Sequence, residues 1–593
     1  MSTLELGTNM PAASHEAWLD AVDAALRGKS LDSLVSTDLG GFTRQPLYTQ
    51  EAMADDNVSG LPGFVPYTRG ARAVNDKFLP WQIAQRLTPG RKGSDQKAVM
   101  TDLNGGVSAI MLDFSQQLPT LAQLDKLLNE VMLDIAPLSV NLAAHGMQAA
   151  ELIISLREHR NLASDVVGFL NLDPLSAHVR YGAAIDLDMS RLIAISQAHQ
   201  GLRLMTASGA TWHDLGASVV QELAWVAASI TEYVRQFDAA GLAPEQALPK
   251  ITICLATDGD FFASLAKIRA ARLIFANIAA NLGSATAPQI HVETSLRALS
   301  DVDPWVNILR ATVSGMAAGI AGVDMMTIAA CTATSASDNE LTRRIARNTQ
   351  IILQEESHIG QVADAAGGSW YVESLTQDLA EQAWALFQRL EADGGLSQAL
   401  AKGEINQAIV AQRAAFNTAI DNRSLPLVGV SEFPNLDEAP LAAAVDKSDG
   451  TLDGFRFAAR YEALRRAAQA SKPKVFMACI GSMASFTPRL NFAANLYAVG
   501  GLHAVAGAGG SDVEAIAAEF SKSTAKIAVI CGSDDDYETL AQPLAAALRK
   551  AGVIHLALAG KPRAIDEVED YCFAGGPAYE LLRNIHSKLG LAE

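Results

Sequence analysis

Cysteine is scarce in this sequence, and what there is does not pair by spacing. Cys254, Cys331, Cys479, Cys531 and Cys572 are the five present, and no CxxC occurs among them. A disulfide framework or a paired-cysteine metal site therefore has no footing, and reduced, mostly buried thiols are expected. On spacing alone no metal ligand set is predicted. Long apolar runs are missing as well: none approaches the roughly 18 residues of a membrane span. The N-terminal stretch lacks the basic start and apolar core of a secretory signal, so a cytoplasmic protein is expected. Basic residues are outnumbered, 46 Lys and Arg against 65 Asp and Glu, for a formal charge of -19. That balance argues against nucleic acid, whose binding rests on clustered cations neutralising phosphates. Neither a GxxxxGK[ST] loop nor a GxSxG elbow is found. Gly507-Ala508-Gly509-Gly510 lacks the GxGxxG pattern, and Asp534-Asp535-Asp536 reads as a solvated acidic turn rather than a cation site.

What the chain has is length and apolar content. Its 593 residues are 49% hydrophobic and 19% charged, enough for a large core and too apolar for disorder. Residues 1–70 hold one amphipathic helix, His15 to Gly28, followed by a turn-rich segment ending in GFVPYTRG (Gly63 to Gly70). An arm without a second apolar face packs on something else, either its own domain or a partner.

From 71 to 405 short β-rich runs alternate with longer helical stretches. The runs are Gly106–Phe114, Ser139–Gly146, Val166–Asp173, Arg203–Gly209, Ile251–Gly259, Gln289–Ser295, Gly322–Ala330 and the one near Gln361–Ala366. Eight such units predict a (β/α)8 TIM barrel with functional groups at the carboxyl ends of its strands, and a doubly wound open sheet is the competing α/β fold. Residues 406–472 carry the Pro-bearing segments SLPLVGV and EFPNLDEAPLAA and read as a linker. Over 473–593 five short strands alternate with helices, which predicts a flavodoxin-like domain whose ligands sit on the carboxyl-end loops.

Within the barrel region, Ile345 to Leu375 runs IARNTQIILQEESHIGQVADAAGGSWYVESL, with Gly367-Gly368 placed before Trp370-Tyr371 and a helix near Thr376. This stretch resembles the last strand and closing loop of the barrel in the methylmalonyl-CoA mutase family. The resemblance extends over essentially the whole chain. It implies an acyl-CoA barrel followed by a cobalamin-type domain, in a family whose adenosylcobalamin performs radical rearrangement by cobalt–carbon homolysis.

Active members carry DxHxxG after the first strand of the C-terminal domain, with His ligating cobalt and Asp fixing its tautomer. Here KVFMACIG runs into SMASFTPR, so those Asp, His and Gly positions fall on Met483, Ser485 and Pro488. The family's Ser-x-Leu after the third strand becomes Cys531-Gly532-Ser533, and its Gly-Gly after the fourth becomes Ala559-Gly560. In the barrel, Pro80-Trp81 is present but the substrate-contacting Tyr position is Asp76. SGYHMQEAG reads SGATWHDLG, which keeps Ser208, Gly209 and Gly216 and puts Thr211 at the His position. His213, two residues on, is expected to be a surface or loop-packing histidine rather than a general acid. His291 and Thr294-Ser295 match an HSQTS run in which Glu293 replaces Gln. Asn141 and Leu204 replace small lining residues while Ala143 and Thr206 stay small, so a filled or partly filled barrel is expected.

The resemblance is therefore to the small, non-cofactor-binding chains of heterodimeric members. It implies no catalytic residue, cofactor or metal on this chain. Adenosylcobalamin and the methylmalonyl-CoA to succinyl-CoA interconversion would belong to a homologous large partner subunit, which the N-terminal arm would wrap. Two other readings compete. A stand-alone mutase with atypical ligation would need another histidine from His503, His555 or His586. An accessory protein protecting such mutases would be expected to carry the P-loop that is missing.

Overall fold

Eight short parallel strands close on themselves in the computed structural model: β1 (Gln82–Leu87), β2 (Ala109–Asp113), β3 (Leu138–Asn141), β4 (Gly168–Leu172), β5 (Leu202–Ser208), β6 (Ile251–Thr257), β7 (Gln289–Thr294) and β8 (Met325–Thr327). Closure is made by β8, whose Met325 is in register with Gln82 on one side and His291 on the other. The structure describes residues 13–52, 59–91, 93–182, 185–335, 339–438, 441, 452 and 454–591. Residues 1–12 of the arm and most of 439–453 in the expected linker lie outside that set.

Seven of the strands fall within the expected runs to within a residue, but the run at Gln361–Ala366 is not a strand. It is a set of tight turns, and the eighth strand is Gln82–Leu87 instead. Ile345 likewise belongs to a helix, Glu340–Glu355, whose Ala346, Thr349, Gln350 and Leu353 are buried at helical spacing. The helix after Gly367-Gly368 begins at Trp370 rather than near Thr376. Between strands, helices bury their apolar stripes on the outside of the barrel. Val219–Ala239 starts with a Ser218/Gln221 capping box, and Phe261–Asn281 starts on the Asp260 side chain.

The second body is a five-stranded parallel sheet of β9 (Lys474–Cys479), β10 (His503–Ala506), β11 (Ile527–Cys531), β12 (His555–Ala559) and β13 (Asp570–Cys572), in the order β10-β9-β11-β12-β13. This is the flavodoxin-like arrangement, with its switch point at β9 and β11. Tyr461 and Leu464, from the helix Ala459–Gln469, pack into the same core as Val475, Met477 and Val529. The connecting segment also lies on the carboxyl face of the barrel. There the Phe455 N–H donates to the Asp214 carbonyl at 2.8 Å and the Phe457 N–H to the Arg297 carbonyl at 3.0 Å.

The arm divides in two. Its helix His15–Leu26 buries no residue. The following stretch returns to its own barrel: Phe42 is fully buried, the Tyr48 ring lies 4.8 Å from Tyr371, and Ser59 Oγ donates to Glu373 at 2.6 Å.

Candidate functional site

In a parallel sheet, residues in register share a face, so the pairing fixes what points into the barrel. Ala84, Ala109, Phe169 and Met325 form a small apolar layer toward the amino ends of the strands. Above it the lining turns polar. Arg86 reaches across to the Glu293 carboxylate and lies 3.4 Å from Asp113. Asn141 donates to Asp113 at 3.2 Å, Asn171 to Ser139 at 2.8 Å, and His291 Nε2 lies 2.8 Å from Thr327 Oγ1. Leu204 is fully buried, and Thr206 donates to the Thr252 carbonyl. Burial works against the Arg86 charge, but the two carboxylates outweigh it and raise its pKa. Burial likewise disfavours charge on Glu293, and Arg86 outweighs it, holding that carboxyl below its usual range. A charged strut thus crosses the interior where a channel for a long acyl chain would need small side chains.

At the carboxyl rim, Thr211 and His213 sit on the one-turn helix Gly209–Asp214 that follows β5. Thr211 turns back onto its own cap, with Oγ1 2.8 Å from Ser208 Oγ. His213 is 1% exposed, so it is a core histidine rather than a surface one. Its Nδ1 lies 3.1 Å from Glu222 Oε2 and its Nε2 2.9 Å from Ser295 Oγ, while Lys267 donates to the same Glu222 oxygen at 2.6 Å. Burial first, then the cations of Arg297 and Lys267, pushes the His213 pKa well down, so the ring stays neutral. Arg297 closes the network from above: it donates to the carbonyls of His213 and Ala217, and its guanidinium lies 4.8 and 5.1 Å from the ring centroids of Phe416 and Phe457. With both ring nitrogens engaged by Glu222 and Ser295, this enclosed imidazole holds its neighbours and presents no N–H to a thioester carbonyl. Asp76 lies before β1, on the amino side of the barrel. It accepts from the Phe78 and Leu79 N–H groups at 2.8 and 2.9 Å, which lowers its pKa. The fold therefore places Asp76 and Thr211 at opposite ends of the barrel.

In the C-terminal domain the family's ligating position sits on the helix that follows β9. Met483–Val499 is helical from its first residue, with Ser482 as the cap and Pro488 inside. Met483 is 74% exposed. Ser485 spends its hydroxyl on the Ser482 carbonyl at 2.8 Å. None of the three offers an imidazole. The crevice between the carboxyl ends of β11 and β12 is filled by Tyr537, whose hydroxyl accepts from the Gly532 N–H at 3.0 Å and donates to the Ala559 carbonyl. Arg489 and Arg563 cover its ring at 4.8 and 5.0 Å. A Cβ at Gly560 would already stand 3.5 Å from that ring. His503 and His555 open strands β10 and β12, and His586 bonds the carbonyl of Gly500, just before β10. All three thus lie at the amino edge of the sheet, opposite the loops where a ligand would sit. The residues present do not fit a cobalamin: the ligand is missing, the loop is wound into helix and the crevice is occupied.

Sequence reasoning did not find the Arg86 strut or the Tyr537 plug. Arg86 lay in an unassigned strand, and Tyr537 carries no motif.

The chain matches the family described as methylmalonyl-CoA mutase over residues 37–126 and 116–509. It is 35% identical to the methylmalonyl-CoA mutase small subunit of Streptomyces virginiae, covering 99% of each chain. It is 31% identical to the protein of the same name from Propionibacterium freudenreichii subsp. shermanii, covering 94% of this chain and 91% of that one. A protein named methylmalonyl-CoA mutase from Cereibacter sphaeroides is 31% identical over 72% of this chain and 65% of its own length.

Proposed function

The chain belongs to the methylmalonyl-CoA mutase family, and we propose that it is the non-catalytic small subunit of a heterodimeric adenosylcobalamin-dependent mutase. In this reading a homologous large subunit holds the cofactor and interconverts methylmalonyl-CoA and succinyl-CoA in the cytoplasm, and this chain supplies interface and stability. The observation that carries it is the polarity of the C-terminal sheet. Its histidines lie at the amino edge, while Met483, Ser485 and Pro488 are helical at the carboxyl edge. A stand-alone mutase with atypical ligation has no imidazole there to use.

Two incompletely covered apolar faces suit a subunit role. The arm helix fully buries none of its residues, and Trp18, Leu19, Val22 and Leu26 along it are half-buried. On the barrel, Trp305, Leu309, Val313 and Met316 recur at helical spacing along the outside of Val306–Ile320, and all remain exposed. Covering such faces stabilises both partners by mass action. No helix among the described residues is long and apolar enough to cross a membrane.

The test is Ser485→His alone, titrated with cobalamin. The variant is expected to bind none, because the helical loop and the Tyr537 plug remain. Tight binding by this single variant would overturn the reading.

A further inference from the structure

Three donors meet inside the barrel that the mutase reading does not use. Strands β6 and β7 pair with Cys254 directly opposite His291, and Glu293 follows His291 on the same face. The sulfur, a ring nitrogen and a carboxylate oxygen consequently lie within 4.8 Å of one another. All three stand on strands of a closed barrel, where neighbours lock their positions better than a loop would. Sequence spacing could not reveal this set, because it exists only once β6 and β7 pair.

We propose that Cys254, His291 and Glu293 bind a divalent transition-metal ion of the zinc class. One thiolate, one imidazole and one carboxylate form a borderline-soft donor set, which suits Zn²⁺ or Co²⁺ and disfavours Mg²⁺ or Ca²⁺, whose sites are built from oxygens. The surroundings match. Thr327 engages His291 through Nε2, leaving Nδ1 for the ion, and a partner on the far nitrogen is how ligating histidines are usually oriented. Arg86 engages Glu293 through Oε2, leaving Oε1. Arg86 faces two carboxylates, Glu293 and Asp113, so the lining has negative charge to spare for a cation. The Arg86 side chain keeps 31% exposure, so water can reach the site and complete a four-coordinate shell. Glu293 also stands where the family resemblance has Gln, which exchanges a neutral amide for an anionic donor. On binding, the Cys254 thiol releases its proton to water as the sulfur–metal bond forms, and no oxidant or reductant is involved. The ion would tie β6 to β7. This inference stands apart from the subunit role and from cobalamin.

The experiment takes the full-length chain, strips it with a chelator and titrates it with Co²⁺, then with Zn²⁺. A saturable thiolate-to-cobalt charge-transfer absorption, displaced by Zn²⁺ and accompanied by a raised Tm, is expected. Cys254→Ser should abolish the absorption, Glu293→Gln should weaken Zn²⁺ binding about tenfold or more, and Cys572→Ser should change neither. Absence of the absorption in the wild-type chain, which requires no variant to fold, would overturn the proposal. So would its persistence in Cys254→Ser.

Discussion

The hydroxyl of Tyr537 lies 2.7 Å from the carbonyl oxygen of Ala559 and donates to it, bridging the carboxyl ends of β11 and β12. The Tyr537 hydroxyl oxygen in turn accepts from the Gly532 N–H, so one buried phenol satisfies two backbone groups at the edge where the fold normally places a ligand. The gap between those two strands is closed by protein.

Tyr537→Phe keeps the ring and removes both bonds, leaving two buried backbone groups unpaired. The expected loss is about 1–3 kcal/mol, read from urea denaturation, with no gain of cobalamin binding. An unchanged midpoint would mean that the hydroxyl is replaceable by water.

Arg86 is expected to behave as one arm of a structural pair. Arg86→Met leaves Glu293 and Asp113 facing each other without a cation. Partial solvent access moderates the cost to about 1–3 kcal/mol, below that of a fully dry pair. Adding Glu293→Gln should recover part of the loss, a coupling that a double-mutant cycle in denaturant measures directly.

His213 gives stability a pH dependence of fixed sign. Its folded pKa lies well below 6.5 because burial disfavours the charged ring. The unfolded chain therefore binds the extra proton first, and this contribution is complete above about pH 6.5 and lost as pH falls below it. Asp214, pushed up to about 6 by burial from 3.8, acts in the opposite direction: its neutral folded form favours the native state at low pH, and that advantage is lost as pH rises from about 4 to 6. His213→Gln should flatten the fall in stability below about pH 6.5, as followed by thermal melts across pH.

How far the chain could be read before its structure depends on what each strand faces. The flavodoxin-like sheet was legible because β9, β11 and β12 are apolar on both faces. In the barrel, β1 was missed because Gln82, Gln85 and Arg86 interrupt its apolar pattern. Arg86 points into a polar interior, so the strand lacks the run of Val, Ile and Leu that marks a buried parallel strand. Gln361–Ala366 was mistaken for a strand on position and the following Gly pair, whereas Asp364 adopts a positive φ of 51° and accepts the Gly367 N–H within a turn. Thr211, Met483 and Ser485 were legible as substitutions at motif positions. The Cys254 cluster was not, since it arises from pairing between distant segments.

The interface should separate from the fold. Leu309→Glu adds charge to an exposed face and leaves isolated-chain stability within about 0.5 kcal/mol. Deleting residues 1–28, whose described helix has no fully buried residue, should do the same. Both changes should weaken association with the proposed large subunit, as read by analytical ultracentrifugation. Unaltered association in both would place the interface elsewhere.

The most direct measurement is cobalamin bound per chain, in this protein purified alone and together with the proposed homologous large subunit. The account predicts none on the isolated chain and one per heterodimer, held by the partner. Stoichiometric cobalamin on the isolated chain would contradict it.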